Sequence, residues 1–400
     1  MNNIKNNNRR KPNRKGQGTQ NGRNRSRRKA VSTIDPRSLV KKATKSVETE
    51  SVSNESFRQF QLNAELLRNI EKKGYTSPTE IQSRSFKALF EGRDMIGVAN
   101  TGTGKTGAFL IPLIERLTQN PRQPFTTLVV VPTRELALQV ESEFKSLTHG
   151  MKLFISCFIG GTSMGKDLSK ARRGSHVVVG TPGRLLDLAN RGAIKFQDMS
   201  VLVLDEFDRM LDMGFVNDIK KMVSRMKRRE QTLLFSATID PKQRSLINTL
   251  VQNPFEIKVS KGTTATNTVD QDIIELGPTE DKFGKLLNLI NNDSFEKVIL
   301  FAETKRLVDR LSKKLSKSGV ASGMIHGDKS QNYRNRAIEE FKRGRTRVLV
   351  ATDVAARGID IQNVTHVINY QLPMTMDSYI HRIGRTGRAG NKGMAYTFVN

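Results

Sequence analysis

The stretch that decides the fold is Ala99-Asn100-Thr101-Gly102-Thr103-Gly104-Lys105-Thr106. It follows an apolar run over 95–98, typical of a buried strand, and it leads into a stretch of helical spacing over 108–117. Glycines let several backbone N–H groups point at one place, and the start of a helix adds its positive dipole end. The stretch therefore predicts a phosphate site, in which Lys105 reaches the β- and γ-phosphates and the Thr106 hydroxyl holds Mg²⁺. The alternative is a glycine-rich turn that binds nothing, but such a turn would not need the Lys-Thr pair.

The composition of the chain limits its class. Its 400 residues are enough for two domains of ordinary size. Cys157 is the only cysteine, which excludes a disulfide framework and a cysteine-rich zinc site and suits a reducing compartment. No apolar run approaches the roughly 18 residues of a membrane span, and the N-terminus lacks the apolar core of a secretory signal. We expect a soluble protein of the cytoplasm with no membrane partner.

The net charge of +28 predicts a polyanionic partner, and nucleic acid is the usual one. Residues 1–29 hold eleven Lys or Arg and no acid, so the rest of the chain keeps 56 basic against 39 acidic residues, or +17. The alternative is a surface whose lysines and arginines serve only solvation. We expect residues 1–55 to be a disordered basic tail and linker that adds RNA affinity without sequence preference, although a transit peptide is also Arg-rich.

Short apolar runs alternate with amphipathic stretches over the rest of the chain, which predicts an α/β fold of parallel sheets with helices on both faces. The boundaries are a first domain at 56–259, a linker rich in Gly, Thr, Ser and Asn at 260–269, and a second domain at 270–400. The predicted strands cover 95–98, 128–131, 153–159, 177–179, 201–204, 233–235, 298–301, 323–325, 348–350, 367–368 and 395–399. Since only the first domain has a phosphate loop, we expect the nucleotide in a cleft between the two.

Asp205 and Glu206 follow the predicted strand at 201–204. Acids at the end of a strand beside a phosphate loop can hold Mg²⁺ and orient the attacking water, and we assign Asp205 to the metal and Glu206 to the water. The alternative is a pair of acids that merely caps the next helix.

From Phe57 to Asn400 the chain resembles the DEAD-box RNA helicases, and the motifs of that family stand in order. Gly74-Tyr75-Thr76-Ser77-Pro78-Thr79-Glu80-Ile81-Gln82 is similar to the adenine-reading motif of the family. The resemblance implies two tandem RecA-like domains that use ATP and Mg²⁺. It implies that Gln82 reads the adenine edge and that Phe57 stacks on the ring, although Phe57 alone is more typical of a core residue.

The resemblance also implies a sequence-independent RNA track. In the first domain it uses motifs that each follow a strand, and the implied contacts are Pro132, Thr133, Arg134, Gly161, Thr181, Pro182 and Arg184. In the second domain the implied contacts are Thr304, Gly327, Arg334 and Thr352. Coupling of hydrolysis to strand release is implied for Ser236, Thr238 and His381.

The last motifs of the second domain imply the far wall of the nucleotide site. By resemblance Asp360 meets the ribose, while Gly358 faces RNA and is counted with the nucleotide-binding positions. Arg385 and Arg388 are the expected arginine fingers, which would neutralise charge developing on the γ-phosphate. The alternative for these arginines is a solvated basic helix end.

Three features depart from the family pattern. Phe207 stands where the motif has alanine, Asn100 stands where glutamine is usual, and the chain ends near the last predicted strand, where relatives usually continue through another helix. The sequence predicts an ATP-dependent RNA helicase that separates short duplexes, and it leaves open whether the protein acts as a monomer or with transient protein partners. A DNA-directed translocase and an RNA chaperone with little turnover stay open as alternatives.

Overall fold

The computed structural model of the chain describes residues 32–43, 55–99, 102–119, 127–259, 268–356, 359, 361, 363–387 and 392–399. These residues form two α/β domains that follow one another along the chain. Each domain is built on one sheet of parallel strands. Among the residues described, no helix combines the length and the hydropathy needed to cross a membrane.

The described part of the first domain contains seven strands, which are β1 Met95–Val98, β2 Thr127–Val130, β3 Ile155–Phe158, β4 Val177–Gly180, β5 Val201–Leu204, β6 Gln231–Ser236 and β7 Phe255–Lys258. They pair in the order β3-β4-β2-β5-β6-β1-β7. The residues of β2 to β6 are all buried, as expected for a sheet covered on both faces. The predicted strands of this domain are confirmed, while β7 had no counterpart in the sequence prediction.

Nine helices cover the two faces of this sheet in the described part of the domain. They are α1 Ala64–Lys72, α2 Glu80–Phe90, α3 Lys105–Gln119, α4 Arg134–Leu147, α5 Met164–Arg172, α6 Pro182–Asn190, α7 Phe207–Asp212, α8 Val216–Arg225 and α9 Pro241–Ile247. Separate hydrophobic clusters fill the two sides of the sheet. Pro112 lies inside α3, which continues past it to Gln119.

Six strands lie in the residues of the second domain that the structure describes: β8 Val269–Glu275, β9 Val298–Phe301, β10 Ser322–Ile325, β11 Val348–Ala351, β12 His366–Asn369 and β13 Gly393–Val399. They pair in the order β10-β11-β9-β12-β13-β8. The helices described here are α10 Lys282–Ile290, α11 Lys305–Lys317, α12 Gln331–Lys342, α13 Asp353–Ala356 and α14 Met376–Ile383. The predicted strands of this domain are also confirmed. β8 is an additional edge strand, at the start of the domain, where the sequence analysis predicts no strand.

Residues 32–43 correct the expected linker, because they pack on the second domain. Lys41 exchanges backbone hydrogen bonds with Gln271 of β8, at 3.0 and 2.8 Å, in an antiparallel bridge. Leu39, in a 3₁₀ turn over Pro36–Leu39, is 1% exposed and joins the hydrophobic cluster that contains Tyr379 of α14. The basic tail over 1–31 lies outside the described residues.

The order of the strands brings the predicted motifs to one edge of the first sheet. β1 lies beside β6 with Val98 opposite Ser236, and β5 lies on the other side of β6. The carboxyl ends of parallel strands meet at the same edge. The phosphate loop after β1, the acids after β5 and Ser236 at the end of β6 are therefore neighbours.

Candidate active site and nucleic-acid interface

The phosphate loop turns into α3 through backbone that suits glycine. Gly102 and Gly104 have φ of +93° and +87°, in the left-handed region that glycine adopts without strain. Lys105 begins the helix, and its side chain folds back so that Nζ donates to the Ala99 carbonyl at 3.0 Å. Thr101 lies outside the described residues. In its described residues, 99 and 102–106, the loop leads from β1 into the start of a helix, and the Lys105 ammonium lies against the Ala99 carbonyl.

Gln82 is tied to the phosphate loop rather than left open. Its Nε2 donates to the Gly104 carbonyl at 3.1 Å, and its Oε1 accepts from the Thr79 amide at 3.0 Å. A Cβ on Gly104 would lie 2.7 Å from Nε2, so a glycine is needed there for the amide to fit. Thr79 Oγ1 also donates to the Thr103 carbonyl at 2.9 Å. The motif that was expected to read adenine therefore also sets the shape of the loop.

Phe57 lies in the core of the first domain. It is 2% exposed, and its ring packs against Phe86 with centroids 6.3 Å apart. It does not line the cleft that contains Lys105. Its stacking on an adenine ring stays a prediction from the resemblance, and the contacts in this structure are those of a core residue.

The two acids after β5, Asp205 and Glu206, are buried, and the carboxylate of each accepts a hydrogen bond. Asp205 is 2% exposed, and burial raises its pKa to about 6 although the nearby Lys105 ammonium lowers it. Glu206 adopts φ +53°, an uncommon conformation for a residue with a side chain, and its amide donates to Asp205 Oδ1 at 2.9 Å. Arg209 of α7, itself 2% exposed, donates to Glu206 Oε2 at 2.9 Å. The sequence interpretation missed Arg209, and the i,i+3 spacing was its only signal.

Asp208 links this acidic turn to the end of β6. Its carboxylate accepts from the Ala237 and Thr238 amides at 3.1 and 3.3 Å, and its own amide donates to Ser236 Oγ at 3.3 Å. Ser236 Oγ in turn donates to the Thr238 carbonyl at 2.6 Å. Asp208, two residues past Glu206, is thus hydrogen-bonded directly to residues 236–238.

A cleft of about 390 Å³ lies between the domains at this edge. Lys105, Thr106, Asp205 and Glu206 line it from the first domain, and Arg385 lines it from the second. Arg385 is 5% exposed, and its Nη1 donates to the Ile359 carbonyl at 2.8 Å. Gly358, Asp360 and Arg388 lie outside the described residues. A cavity of about 580 Å³ elsewhere on the first domain contains none of the motif residues.

Two of the predicted RNA-contacting residues of the first domain, Arg134 and Gly161, lie against each other. Arg134 lies over Gly161, where a Cβ would come within 2.5 Å of the guanidinium, and Gly161 has φ +82°. Thr133 caps α4 by accepting the Leu136 amide at 3.3 Å. Pro132 and Pro182 are buried, and Thr181 is partly exposed. Thr181 is the N-cap residue of α6, as Thr133 is of α4, but its side chain makes no capping hydrogen bond.

Arg184 has an internal partner that the sequence does not show. It pairs with Asp167 of α5 at 2.8 Å and donates to the Thr162 carbonyl at 2.6 Å. The side chain is 10% exposed. Its charge is therefore largely used inside the first domain, where it fixes the turn after Gly161.

The second domain contributes the rest of the predicted track. Thr304 is exposed and caps α11 through the Leu307 amide at 3.2 Å. Gly327 lies beside Lys305, and Thr352 is 9% exposed after β11. His381 lines a small cavity with Asp353 and Arg382. Arg382, which the sequence interpretation left without a role, forms two short bonds to Asp353 at 2.6 and 2.7 Å.

Glu135 joins the two domains. Its Oε1 accepts from Arg334 Nη2 at 2.8 Å and from Gln331 Nε2 at 3.0 Å, and all three residues are buried. Burial lowers the pKa of Arg334, and the Glu135 carboxylate offsets only part of that effect. Arg134 Nη1 also reaches Gln331 Oε1 at 3.5 Å. The predicted RNA-contacting Arg334 is thus also an interdomain residue, and its partner Glu135 was missed.

Comparisons with known proteins agree with this geometry. Residues 79–246 match the model of the DEAD/DEAH box helicase family, and residues 281–390 match that of the helicase conserved C-terminal domain. The DEAD-box ATP-dependent RNA helicase CshA of Bacillus licheniformis is 42% identical over 345 residues, 86% of this chain and 70% of its own length. CshA of Bacillus subtilis is 41% identical over 345 residues, 86% of this chain and 69% of its own length.

Two solved structures give the same result at the level of the fold. Saccharomyces cerevisiae Dbp5 bound to RNA and ADP BeF3 has a TM-score of 0.76 and 33% identity, over 86% of this chain and 89% of that one. Mss116p bound to ssRNA and AMP-PNP has a TM-score of 0.78 and 31% identity, over 90% of this chain and 76% of that one. The two sheets are therefore the RecA-like domains that the resemblance implied. By its sequence matches, its fold and the order of its motifs, this chain belongs to the DEAD-box family of ATP-dependent RNA helicases.

Proposed function

We propose that the protein is an RNA-dependent ATPase that binds one RNA strand across both domains and separates short duplexes as it binds and hydrolyses ATP. The observation that carries this proposal is the cleft itself, because Lys105, Asp205 and Glu206 of one domain and Arg385 of the other line the same space. The relatives are named ATP-dependent RNA helicases, and similar structures hold RNA with a nucleotide analogue.

Lys105 and the loop amides are suited to bind the triphosphate. The ammonium that now donates to the Ala99 carbonyl can turn toward the β- and γ-phosphates, where several N–H groups converge. Gln82 would present the adenine-facing side of its amide only if its bonds to Gly104 and Thr79 rearrange or are shared. Thr103, Gly104 and Thr106 would complete the cradle.

Mg²⁺ fits the oxygen donors that are present. Asp205 and Thr106 line the same cleft, and a buried carboxylate whose pKa burial raises is stabilised as an anion by a cation beside it. Mg²⁺ is commonly held by one or two protein oxygens together with water and substrate phosphates. When bound, it would neutralise charge on the phosphate oxygens.

Glu206 and Arg385, which line the same cleft, would serve the hydrolytic step. Glu206 would orient the attacking water, with Arg209 holding one carboxylate oxygen so that the other faces the cleft. Arg385 would neutralise charge on the γ-phosphate, an effect of about 10³ to 10⁵ in rate in other NTPases. We expect Arg388 to assist it, as the resemblance implies.

RNA would lie across the edge formed by the two sets of predicted contacts, held through its phosphates and without base reading. The Glu135 pairs with Gln331 and Arg334 would form only when the domains approach, so RNA and ATP would favour the same closed state. We further propose a monomer that acts in the cytoplasm, where Cys157 stays a free, buried thiol, and a basic tail that raises RNA affinity.

The test is ATP hydrolysis by the purified full chain with single-stranded RNA, duplex RNA or DNA, at two salt concentrations, and with Lys105→Ala as the inactive control. We expect stimulation by RNA and little by DNA. Equal rates with and without RNA would refute the proposal, and greater stimulation by DNA would favour a DNA-directed translocase. RNA annealing without single-turnover hydrolysis would favour a chaperone.

A further inference from the structure

We propose that the outer face of α11 binds the phosphate backbone of RNA that extends beyond the track between the domains. Four basic residues form this face, which we call the α11 stripe: Arg306, Arg310, Lys313 and Lys317. The inference rests on the proposed function, since it extends the RNA-binding surface of the same protein.

The stripe is a single straight row that points into solvent. Its members follow the spacing i, i+4, i+7, i+11, so they fall within an arc of about 60° and span about 17 Å of helix. The opposite side of α11 is apolar, and Val308, Leu311 and Leu315 are 0–2% exposed in the hydrophobic cluster under the helix. All four stripe residues are exposed to solvent.

No described carboxylate forms an ion pair with a residue of the α11 stripe. Asp309 is the single acid in α11, and it is held by Lys329 at 2.9 Å and by His326 at 3.1 Å. The next helix, α12, shows the ordinary arrangement, because Arg336 pairs with Glu340 at 3.0 Å.

This contrast argues against a face that serves solvation alone. A solvated helix usually alternates acids and bases, since like charges three or four positions apart repel each other. The α11 stripe keeps that repulsion between all of its neighbours. A bound polyanion would relieve it.

The stripe is continuous with the predicted RNA track. Thr304, an expected RNA contact, is the N-cap of α11. Lys305 then lies against Gly327, a second expected contact, because a Cβ on that glycine would be 3.6 Å from Lys305 Nζ. RNA held at Thr304 and Gly327 therefore lies at the start of the stripe and can follow the helix outward.

The chemistry of the stripe fits a phosphate backbone better than a folded acidic protein. Adjacent cations are separated by about 4.5 to 6 Å along the helix axis, with no apolar side chain between them on the same face. Such a face offers one charge after another but no hydrophobic anchor, and protein interfaces usually depend on buried aromatic or aliphatic anchors. One contact per cation would give about four phosphates.

The experiment compares two full-length variants with the same change of charge. In the first, all four stripe residues become glutamine (R306Q, R310Q, K313Q and K317Q). In the control, four exposed cations of the first domain outside the predicted track become glutamine (K220Q, K221Q, K227Q and R228Q). Binding is measured for oligouridines of about 6 and about 20 nucleotides, which bracket ordinary single-strand site sizes, over a range of salt.

We expect the stripe variant to bind the long RNA more weakly and the short RNA as the wild type does. Each phosphate contact on a single strand contributes about 0.7 to the steepness of log K against log salt. The loss of about four contacts should therefore make this slope less steep by about 3 for the long RNA. Between about 50 and about 200 mM salt, the affinity of the wild type should then fall about 50-fold more than that of the variant. The control variant should keep a slope closer to that of the wild type.

Four results would overturn the inference. They are an unchanged slope for the long RNA, an equal loss in the control variant, an equal loss for the short RNA, or stripe-dependent binding of polyglutamate without any effect on RNA. RNA-stimulated ATP hydrolysis with the short RNA separates the two proposals. If the wild type shows none, the proposed function fails, whereas normal stimulation in a stripe variant with unchanged binding refutes only the stripe.

Discussion

Replacing Phe207 by alanine should cost stability rather than chemistry. The ring belongs to α7, one residue past Glu206, but it is 0% exposed and points into the hydrophobic cluster on one face of the first sheet, with Leu204 and Leu234. Truncating a fully buried phenylalanine to alanine leaves a cavity, and such substitutions reduce the free energy of unfolding by about 3 to 5 kcal/mol. For a domain of this size that corresponds to a fall in melting temperature of about 6 to 20 °C.

The assay is thermal or urea unfolding of the full chain, combined with RNA-stimulated ATP hydrolysis well below the transition. The matched control is Phe158→Ala, which removes an equally buried ring of the same cluster from the end of β3. Both variants should lose similar stability, and Phe207→Ala should keep hydrolysis within a few-fold of the wild type.

Two outcomes would refute this reasoning. A stability loss of less than about 1 kcal/mol would show that Phe207 is not a core residue of the kind the burial indicates. A folded Phe207→Ala protein with abolished hydrolysis, beside an active Phe158→Ala protein, would show that the ring positions Glu206 or Asp208. In that case the departure from the family motif would have a catalytic meaning.

Three further predictions concern the second domain and its contacts. Leu39→Ala should lower the free energy of unfolding by about 2 to 5 kcal/mol, measured in urea, because the side chain is 1% exposed in the cluster of that domain; a loss below about 0.5 kcal/mol would show that residues 32–43 do not dock. Arg334→Gln alone should weaken RNA-stimulated hydrolysis more than the double variant that also carries Glu135→Gln. The reason is that the single variant leaves the buried Glu135 carboxylate without its cation. Additive losses from the two substitutions would contradict the pairing. The ring of His366 stacks on Phe295 with centroids 3.7 Å apart, and burial lowers its pKa to about 4. The neutral imidazole therefore contributes its full share to the free energy of unfolding above the pKa of histidine in the unfolded chain, and this contribution is lost as the pH falls toward the folded pKa. Measured by urea unfolding, the free energy of unfolding of the wild type relative to that of His366→Phe should be about 2 kcal/mol lower at about pH 5 than at about pH 7.5, and an unchanged difference would contradict the prediction.

Much of the fold could be predicted from the sequence because parallel strands covered on both faces are continuous apolar runs. The strands β2 to β6, β9, β11 and β12 are buried throughout, and each was predicted close to its observed bounds, whereas the edge strand β10 has alternating burial and was predicted from its last three residues. β7 and β8 are edge strands with alternating or mixed burial, so their apolar residues are interrupted by acids and glutamine. Their sequences resemble those of exposed segments, which explains why both were missed.

Residues 32–43 were missed for a related reason. Their segment contains only two large buried apolar side chains, Ile34 and Leu39, within a mixed sequence. Docking depends on the open edge of β8 and on the carbonyls of Pro373 and Met374, more than 300 positions away in sequence. A local pattern cannot show such a partner, so the expectation of a linker followed naturally from the composition.

The charged residues show where reading a sequence for function stops. Motif matches placed Arg134, Arg184 and Arg334 on an RNA track, but a sequence does not show which carboxylates the fold brings to each guanidinium. Arg184 has Asp167 and Arg334 has Glu135, and both acids are buried beside them. A buried, paired arginine contributes little net potential to an approaching phosphate, while an exposed and unpaired one contributes most of its charge. Pairing thus makes Arg184 and Arg334 suited to holding the domains in shape, and the attraction of long RNA falls to cations without partners. That separation of roles is why neutralising the α11 stripe should change the salt dependence of RNA binding, while changing Arg334 should change the coupling of RNA to hydrolysis.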